Sequence, residues 1–164
     1  MIKLFTGTVG IGKTSIVLKE LSFIKNRPKY ATPVNASDFS FANHGFMPLP
    51  ALADWQDLPS RSVIFCDDAD NYLPDFDFDH KGEYAWVVDL ALHRHNALDI
   101  YLTAINHTLI TEYLRPLISQ HTHLTPHHDG TICAKTWPYC VSFPEMPNSD
   151  SDLRISYLDL KDYF

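Results

Sequence analysis

The sequence is short of positive charge. Thirteen Lys and Arg stand against twenty Asp and Glu, a net charge of −7 over 164 residues. A surface that coats nucleic acid is basic, so a whole-surface DNA binder is excluded. Cysteine is scarce too: Cys66, Cys133 and Cys140 are too few, and odd in number, for a disulfide framework, and suit a reducing compartment. Long apolar runs are missing. The longest near-apolar one, Ala85 to Leu92, holds eight residues and includes Asp89, well under the roughly 20 that a membrane-spanning helix needs. Thr6-Gly7 interrupts the N-terminal apolar run, which excludes a signal peptide there. No repeat or low-complexity stretch occurs. With 45% hydrophobic and 20% charged residues, the chain has the material for one folded domain.

What charge there is lies unevenly. Residues 1–60 carry six basic and four acidic side chains, a balance of +2, whereas residues 61–89 carry two against eight, a balance of −6. One region invites a phosphate and the other a cation; two solvated faces of opposite sign are the plainer alternative.

Ile2 to Thr6 reads as a short buried strand, and Thr14 to Lys25 as a helix with Ile16, Val17, Leu21 and Ile24 on one face. Five prolines make residues 27–60 loop-rich, with a short strand at Tyr30–Val34. Ser62 to Cys66 is a continuous apolar run, the mark of a strand buried on both faces in a parallel sheet. Tyr84–His95 is expected to be helical, Asp99–Ala104 a strand and Leu109–Gln120 a helix. Alternating strands and helices predict an α/β fold with a mainly parallel central sheet flanked by helices. The domain is placed at residues 1–125. Residues 126–164, with β-like pieces at Thr131–Ala134 and Cys140–Phe143, are a small C-terminal extension packed on it.

Gly7-Thr8-Val9-Gly10-Ile11-Gly12-Lys13-Thr14 fits G-x-x-x-x-G-K-[ST], the Walker A loop, without a mismatch. Glycines let the backbone curl until successive N–H groups face one anion, and the following helix aims its positive end at the same point. The segment from Gly7 to Thr14, with Ser15, is the candidate nucleotide site: Lys13 reaches the β- and γ-phosphates of ATP, and the Thr14 hydroxyl ligates Mg²⁺. The pattern also lies between an apolar strand and a helical period, as its chemistry requires.

A metal-holding carboxylate belongs at the end of a neighbouring buried strand. Val63-Ile64-Phe65-Cys66-Asp67-Asp68 has the Walker B form. Asp67 is the second Mg²⁺ ligand and Asp68 the group that orients or deprotonates the attacking water. Asp75, Asp77 and Asp79 lack the glycine and glutamate of a calcium loop and read as a solvated acidic segment. Seven of nine histidines lie between His93 and His128, but His-x-His pairs with a Cys-x₆-Cys spacing do not make a usual zinc pattern. His93-Arg94-His95 precedes the strand at Asp99, where a cation can sense phosphate, and Arg115 is a candidate arginine finger. The alternative for each is a surface or capping charge. Only five arginines exist, none clustered along the chain, which argues against a small-molecule kinase with an arginine-rich lid.

Taken in order, these pieces resemble the zonular occludens toxin family, which includes the inner-membrane assembly ATPases of filamentous phages. The resemblance rests on Thr6-Gly7 with the Walker loop, Arg27-Pro28-Lys29 before Val34-Asn35, and Trp55 with Pro59. It continues through Asp67-Asp68-Ala69-Asp70, Leu73-Pro74, His93-Arg94-His95 leading into Asp99-Ile100, Arg115 with Leu117, and His121. It covers residues 2–125, and the His-Arg-His run makes it specific. It implies an oligomeric ATP- and Mg²⁺-dependent motor at the cytoplasmic face of the host inner membrane. The implied partners are further copies of the chain, phage assembly and coat proteins and phage single-stranded DNA, with a membrane segment outside this sequence. Two positions depart from the family pattern. Asp68 and Asp70 replace the glutamate and glutamine of Asp-Glu-Ala-Gln. Ala104-Ile105 replaces a Thr-Gln pair, leaving Asn106 as the nearest amide. Both bear on hydrolysis rather than nucleotide binding, so a nucleotide-binding scaffold or toxin-like module with little turnover is the alternative.

Overall fold

A computed structural model describes residues 1–32, 40–72, 89–142 and 151–163. The strands are β1 (Ile2–Gly7), β2 (Lys29–Thr32), β3 (Met47–Pro48), β4 (Val63–Cys66), β5 (Asp99–Ala104), β6 (Gln120–Pro126), β7 (Thr131–Trp137) and β8 (Ser151–Ser156); helix α1 covers Lys13–Ser22. They form one eight-stranded sheet in the order β3-β2-β4-β5-β1-β6-β7-β8. β3 through β6 in that order are parallel, and β7 and β8 are antiparallel. The fold is therefore α/β with a mainly parallel sheet, and the C-terminal extension supplies two strands of that same sheet.

The central strands β1, β4 and β5 are buried on both faces, which explains their continuous apolar runs. Along β4, Ile64 and Cys66 enter one core with Leu4, Ile100, Leu102 and Leu114, whereas Val63 and Phe65 enter the other with Phe5, Val17, Leu21 and Leu160. α1 covers the second face, sealed by the 3-10 turn Tyr157–Tyr163, whose Tyr163 carbonyl accepts from Ser15 Oγ at 3.2 Å.

The first face is covered differently from the expectation. Among the described residues, 3-10 turns at Leu52–Asp57, Leu90–Arg94, His107–Leu109 and Arg115–Leu117 lie between the strands. The expected helix at Leu109–Gln120 is absent. Pro116 has no N–H to give to Glu112, so the α-helical bonding cannot run through it and only the 3-10 turn Arg115–Leu117 forms there. Gln120 already begins β6, where Thr122 and His121 pack as strand residues. β2 starts one residue before the expected Tyr30 and is described to Thr32; Pro33, Val34 and Asn35 lie outside the described residues, as do Leu73-Pro74, Asp75, Asp77, Asp79, residues 84–88 of the expected helix and Phe143. Cys140 to Ser142 is irregular rather than extended.

Candidate nucleotide site

The loop from β1 to α1 is shaped by close approach. Gly7 has φ +148, and a β-carbon there would stand 2.6 Å from the Leu124 carbonyl of β6. Any side chain at this position would lever β6 off the loop. Gly12 holds φ 90 at the N-cap of α1, with no side-chain cap and no acid in the first turn. The orphan N–H groups of that turn stay free for an anion. Lys13 is buried, its Nζ donating to the Gly7 carbonyl at 3.0 Å and the Thr8 carbonyl at 3.2 Å. Its ammonium thus rests on the loop that a phosphate would fill.

Asp67 stands at the end of β4, but β4 is not the neighbour of β1. β5 lies between them, which corrects the expected adjacency. Thr103 of β5 closes the gap. Its hydroxyl donates to Asp67 Oδ1 at 2.6 Å and accepts from the Asp68 N–H at 2.8 Å. From the other side, Thr14 Oγ1 reaches Asp67 Oδ1 at 3.0 Å and Oδ2 at 3.1 Å. Burial raises the Asp67 carboxyl above the usual carboxylate range; the Thr103 hydrogen bond works against this, and the nearby Asp68 charge adds to it. A half-buried carboxylate beside a threonine hydroxyl supplies two oxygen donors of the kind Mg²⁺ takes when phosphate and water complete its shell, although the described residues hold no cluster of three ligating side chains.

Lys13 and Thr14 line a cleft of about 450 Å³ together with Asp68, Asp70, Asn71 and Ile105, and Asp67 stands behind Thr14. Asp68 is exposed and held in left-handed backbone, φ 47 and ψ 50, so its carboxylate stands on a tight turn at the rim. Asp70 accepts from the Ile105 N–H through Oδ2 at 3.2 Å, and its other oxygen is buried without a partner. Ile105 in turn accepts from the Gly7 N–H at 3.2 Å, which couples the acidic turn to the phosphate loop. Asn106, the nearest amide in sequence, spends its side chain on the Thr108 N–H. Asn71 instead brings an amide to the cleft. Neither Thr103 nor Asn71 stands out in the sequence, because each needs the strand order to place it.

Below the loop, Thr6 Oγ1 lies 2.7 Å from His121 Nε2 and 2.8 Å from His123 Nδ1. The Val141 N–H donates to His121 Nδ1 at 3.2 Å. His121 therefore carries its proton on Nε2 and donates to Thr6, whose hydroxyl donates to His123.

The two candidate arginines are not brought to the cleft. Arg115 Nε donates to the carbonyls of His107 (3.2 Å) and Ile110 (2.9 Å), and Nη2 to that of Thr108 (2.9 Å), so it braces the turn after β5. Arg94 lies at the start of β5, beside Met1 and Asp99. That is the opposite edge of the sheet, roughly 17 Å from the β5 end at about 3.3 Å per residue. His93 is buried, donating Nδ1–H to the Leu90 carbonyl at 2.6 Å. The reason is strand polarity: in a parallel sheet the ligand crevice lies past the carboxyl ends, and His93-Arg94-His95 precedes its strand.

Comparison with solved structures agrees with this geometry. The fold is that of a P-loop NTPase. The N-terminal domain of zonular occludens toxin from Neisseria meningitidis superposes with a TM-score of 0.74 at 21% identity, over 99% of this chain and 97% of that one. It represents the family that the sequence resembles. The genome-packaging NTPase B204 of Sulfolobus turreted icosahedral virus 2, in complex with AMP, superposes at 0.58 and 11% identity, over 94% and 96%. Its complex with ATP-gammaS gives 0.53 at 12%, over 79% and 77%. No family model and no curated protein sequence matches the chain.

Proposed function

We propose that this chain is a member of the zonular occludens toxin family. In this reading it binds ATP and Mg²⁺ and hydrolyses ATP as an oligomeric motor for filamentous phage assembly and export at the host inner membrane. The observation that carries the nucleotide reading is the bonded series Thr14–Asp67–Thr103–Asp68 beside an uncapped helix N-terminus and Lys13. Lys13 and the loop N–H groups hold the phosphates, and Thr14 and Asp67 hold Mg²⁺, which when bound neutralises charge on the phosphate oxygens. Asp68 orients a water for attack on the γ-phosphorus; the new P–O bond forms as the bond to the β-γ bridging oxygen breaks, and the water's proton leaves towards Asp68. One viral NTPase of similar fold, solved both with AMP and with ATP-gammaS, supports a nucleotide as the ligand. Further copies of the chain, phage coat proteins, single-stranded DNA and a membrane segment outside this sequence are the partners this reading calls for.

Lys13→Ala tests it. At about 1.5–3 kcal/mol per charge-assisted hydrogen bond, ATP affinity should fall roughly 10- to 100-fold with an unchanged circular dichroism spectrum. Calorimetry showing undiminished binding of Mg-ATP would move the phosphate site elsewhere.

A second reading, a nucleotide-binding scaffold without turnover, is favoured by one observation. Ile105 occupies the cleft wall with its N–H tied to Asp70, and Asn106 is committed to a turn. Phosphate release separates the two readings. The motor predicts turnover that Asp68→Asn lowers about 100-fold or more and Asp68→Glu raises; the scaffold predicts binding with no release in any of the three proteins.

A further inference from the structure

Three of the chain's five arginines, far apart in sequence, meet at the edge of the sheet opposite the nucleotide cleft. Arg27, Arg61 and Arg94, with Met1, Ala97 and Asp99, line a basin of about 330 Å³. A chain of net charge −7 that gathers most of its arginines in one hollow concentrates positive potential there. Among the described lining residues Asp99 is the one acid, so three guanidinium groups and the Met1 ammonium against one carboxylate leave a balance of +3.

The three arginines are not equivalent. Arg27 is a fixed wall. Its Nε donates to the Arg61 carbonyl at 2.6 Å, Nη1 to Asp99 Oδ2 at 2.5 Å, and Nη2 to the carbonyls of Ser62 at 3.2 Å and Ala97 at 3.1 Å. Asp99 is fully used by Arg27 and by the Met1 amino group at 3.0 Å. Arg61 and Arg94 are exposed, and no ion pair among the described residues uses either guanidinium. Two free forks therefore face a preformed cationic wall.

Backbone conformation adds a second, independent observation. Arg61 sits at φ 67 and Ala97 at φ 51, a region that residues with a β-carbon rarely adopt outside sites that require it. The two strained turns are tied together by the Arg61 N–H donating to the Asn96 carbonyl at 2.8 Å. Glycine at position 61 would remove the strain, and it would also remove the guanidinium.

A pair of free guanidinium forks in a hollow matches the bidentate geometry of phosphate oxygens. Among the described residues no aromatic ring lines the basin, so they offer bases no stacking platform and recognition falls on phosphate. The concave shape suits a discrete group better than a flat bilayer. We propose that this basin is a second phosphate-binding site, separate from the nucleotide cleft, that takes phosphate groups from a free polyphosphate or from the backbone of a single nucleic-acid strand.

The test is carried out in a Lys13→Ala background, which weakens the phosphate loop's own contribution and keeps failure here distinct from failure of the nucleotide reading. Pyrophosphate and single-stranded oligothymidylate are titrated into this protein and into the same protein carrying Arg61→Gln and Arg94→Gln. Loss of pyrophosphate affinity by at least about 10-fold, one charge-assisted bond's worth, identifies a free phosphate ligand. A loss confined to the oligonucleotide identifies the backbone, and its log-affinity against log-salt slope should shrink by about 1.4, two contacts at about 0.7 each. Arg61→Gly should melt no lower than its parent yet lose affinity for the same probe, which separates ligand contact from folding. The proposal is overturned if both probes bind all variants equally, if neither binds the parent, or if only anionic lipid vesicles show dependence on Arg61 and Arg94.

Discussion

The two edges of the sheet each present an aspartate on adjacent strands, and the protein treats them in opposite ways. Asp67 directly follows β4 and Asp99 begins β5. Burial pushes both carboxyls up. For Asp99 that push is overcome by Arg27 and the Met1 amino group, which hold it below the usual range. Asp67 receives only hydroxyls from Thr103 and Thr14, has Asp68 beside it, and stays raised. An aspartate with a resident cation is part of the scaffold; an aspartate given only neutral donors, next to further acids, is arranged for a cation that arrives with a ligand. The same polarity sorts the rest. Glycines and acids gather past the carboxyl ends of β1 and β4, whereas arginines gather before the amino ends of β4 and β5.

Substituting the two aspartates should break the comparison most visibly. Asp99→Asn leaves Arg27, only 18% exposed, without its counter-ion. Removing one partner of a buried pair destabilises by about 3–5 kcal/mol, and partial exposure reduces that here to about 2 kcal/mol. Asp67→Asn relieves a desolvated charge beside Asp68, so stability should stay level or rise by up to about 1 kcal/mol while Mg²⁺-dependent nucleotide binding is lost. Urea denaturation of both variants is the measurement. Equal destabilisation would mean that Asp67 is as much a structural residue as Asp99.

Thr103→Val is the next smaller effect. Thr103 is fully buried and bridges Asp67 to the Asp68 backbone. Valine keeps its shape and deletes both bonds, leaving the Asp68 N–H unsatisfied at about 1–2 kcal/mol. Affinity for Mg-ATP should fall while affinity for ATP without metal holds. If the two fall together, Thr103 supports the loop as a whole rather than the metal-facing carboxylate.

How far these features could be read from the sequence follows from their range. The phosphate loop is local: Gly7 to Thr14 is contiguous, and its setting between strand and helix is visible in the apolar pattern. β4 and β5 are equally legible, because burial on both faces leaves no alternation to misread. Pro116 breaks an α-helix at 109–120 although Leu109, Leu114 and Leu117 carry apolar side chains along that stretch. Strand order is what the sequence hides. It inserts β5 between β1 and β4, makes Thr103 a bridge and Asn71 a cleft residue, and gathers Arg27, Arg61 and Arg94 from three segments. Strand polarity, not order, sets Arg94 apart: within one subunit a cation before a parallel strand and a phosphate after it lie at opposite ends.

Acid stability gives the finest comparison of the two edges. Under the phosphate loop, burial first, and then the nearby His107 and His123, lower His121 from 6.5 to about 3. Native His121 is therefore neutral where the unfolded chain's histidine takes a proton, so stability is complete above about pH 6.5 and declines as pH falls toward 3. The decline between pH 6.5 and 5.5 is about 1 kcal/mol for one such group, and roughly 3 °C in melting temperature for a domain of this size. At the other edge, Asp99 has a folded value below its unfolded 3.8, so its contribution is intact throughout that window and is lost only below about pH 3.8. Buried His93, also lowered by desolvation, acts in the same direction as His121, so the wild-type slope alone does not assign the proton. The His121→Gln variant does: glutamine offers Thr6 a donor and takes up no proton, so its melting temperature should change less between pH 6.5 and 5.5 by about the 3 °C expected for that group. An Asp99→Asn variant should melt lower than wild type by a constant margin across the same interval. If instead His121→Gln keeps the full wild-type slope, the proton is taken up by His93 or elsewhere, and the histidine floor beneath the loop is not the acid-sensitive part of the molecule.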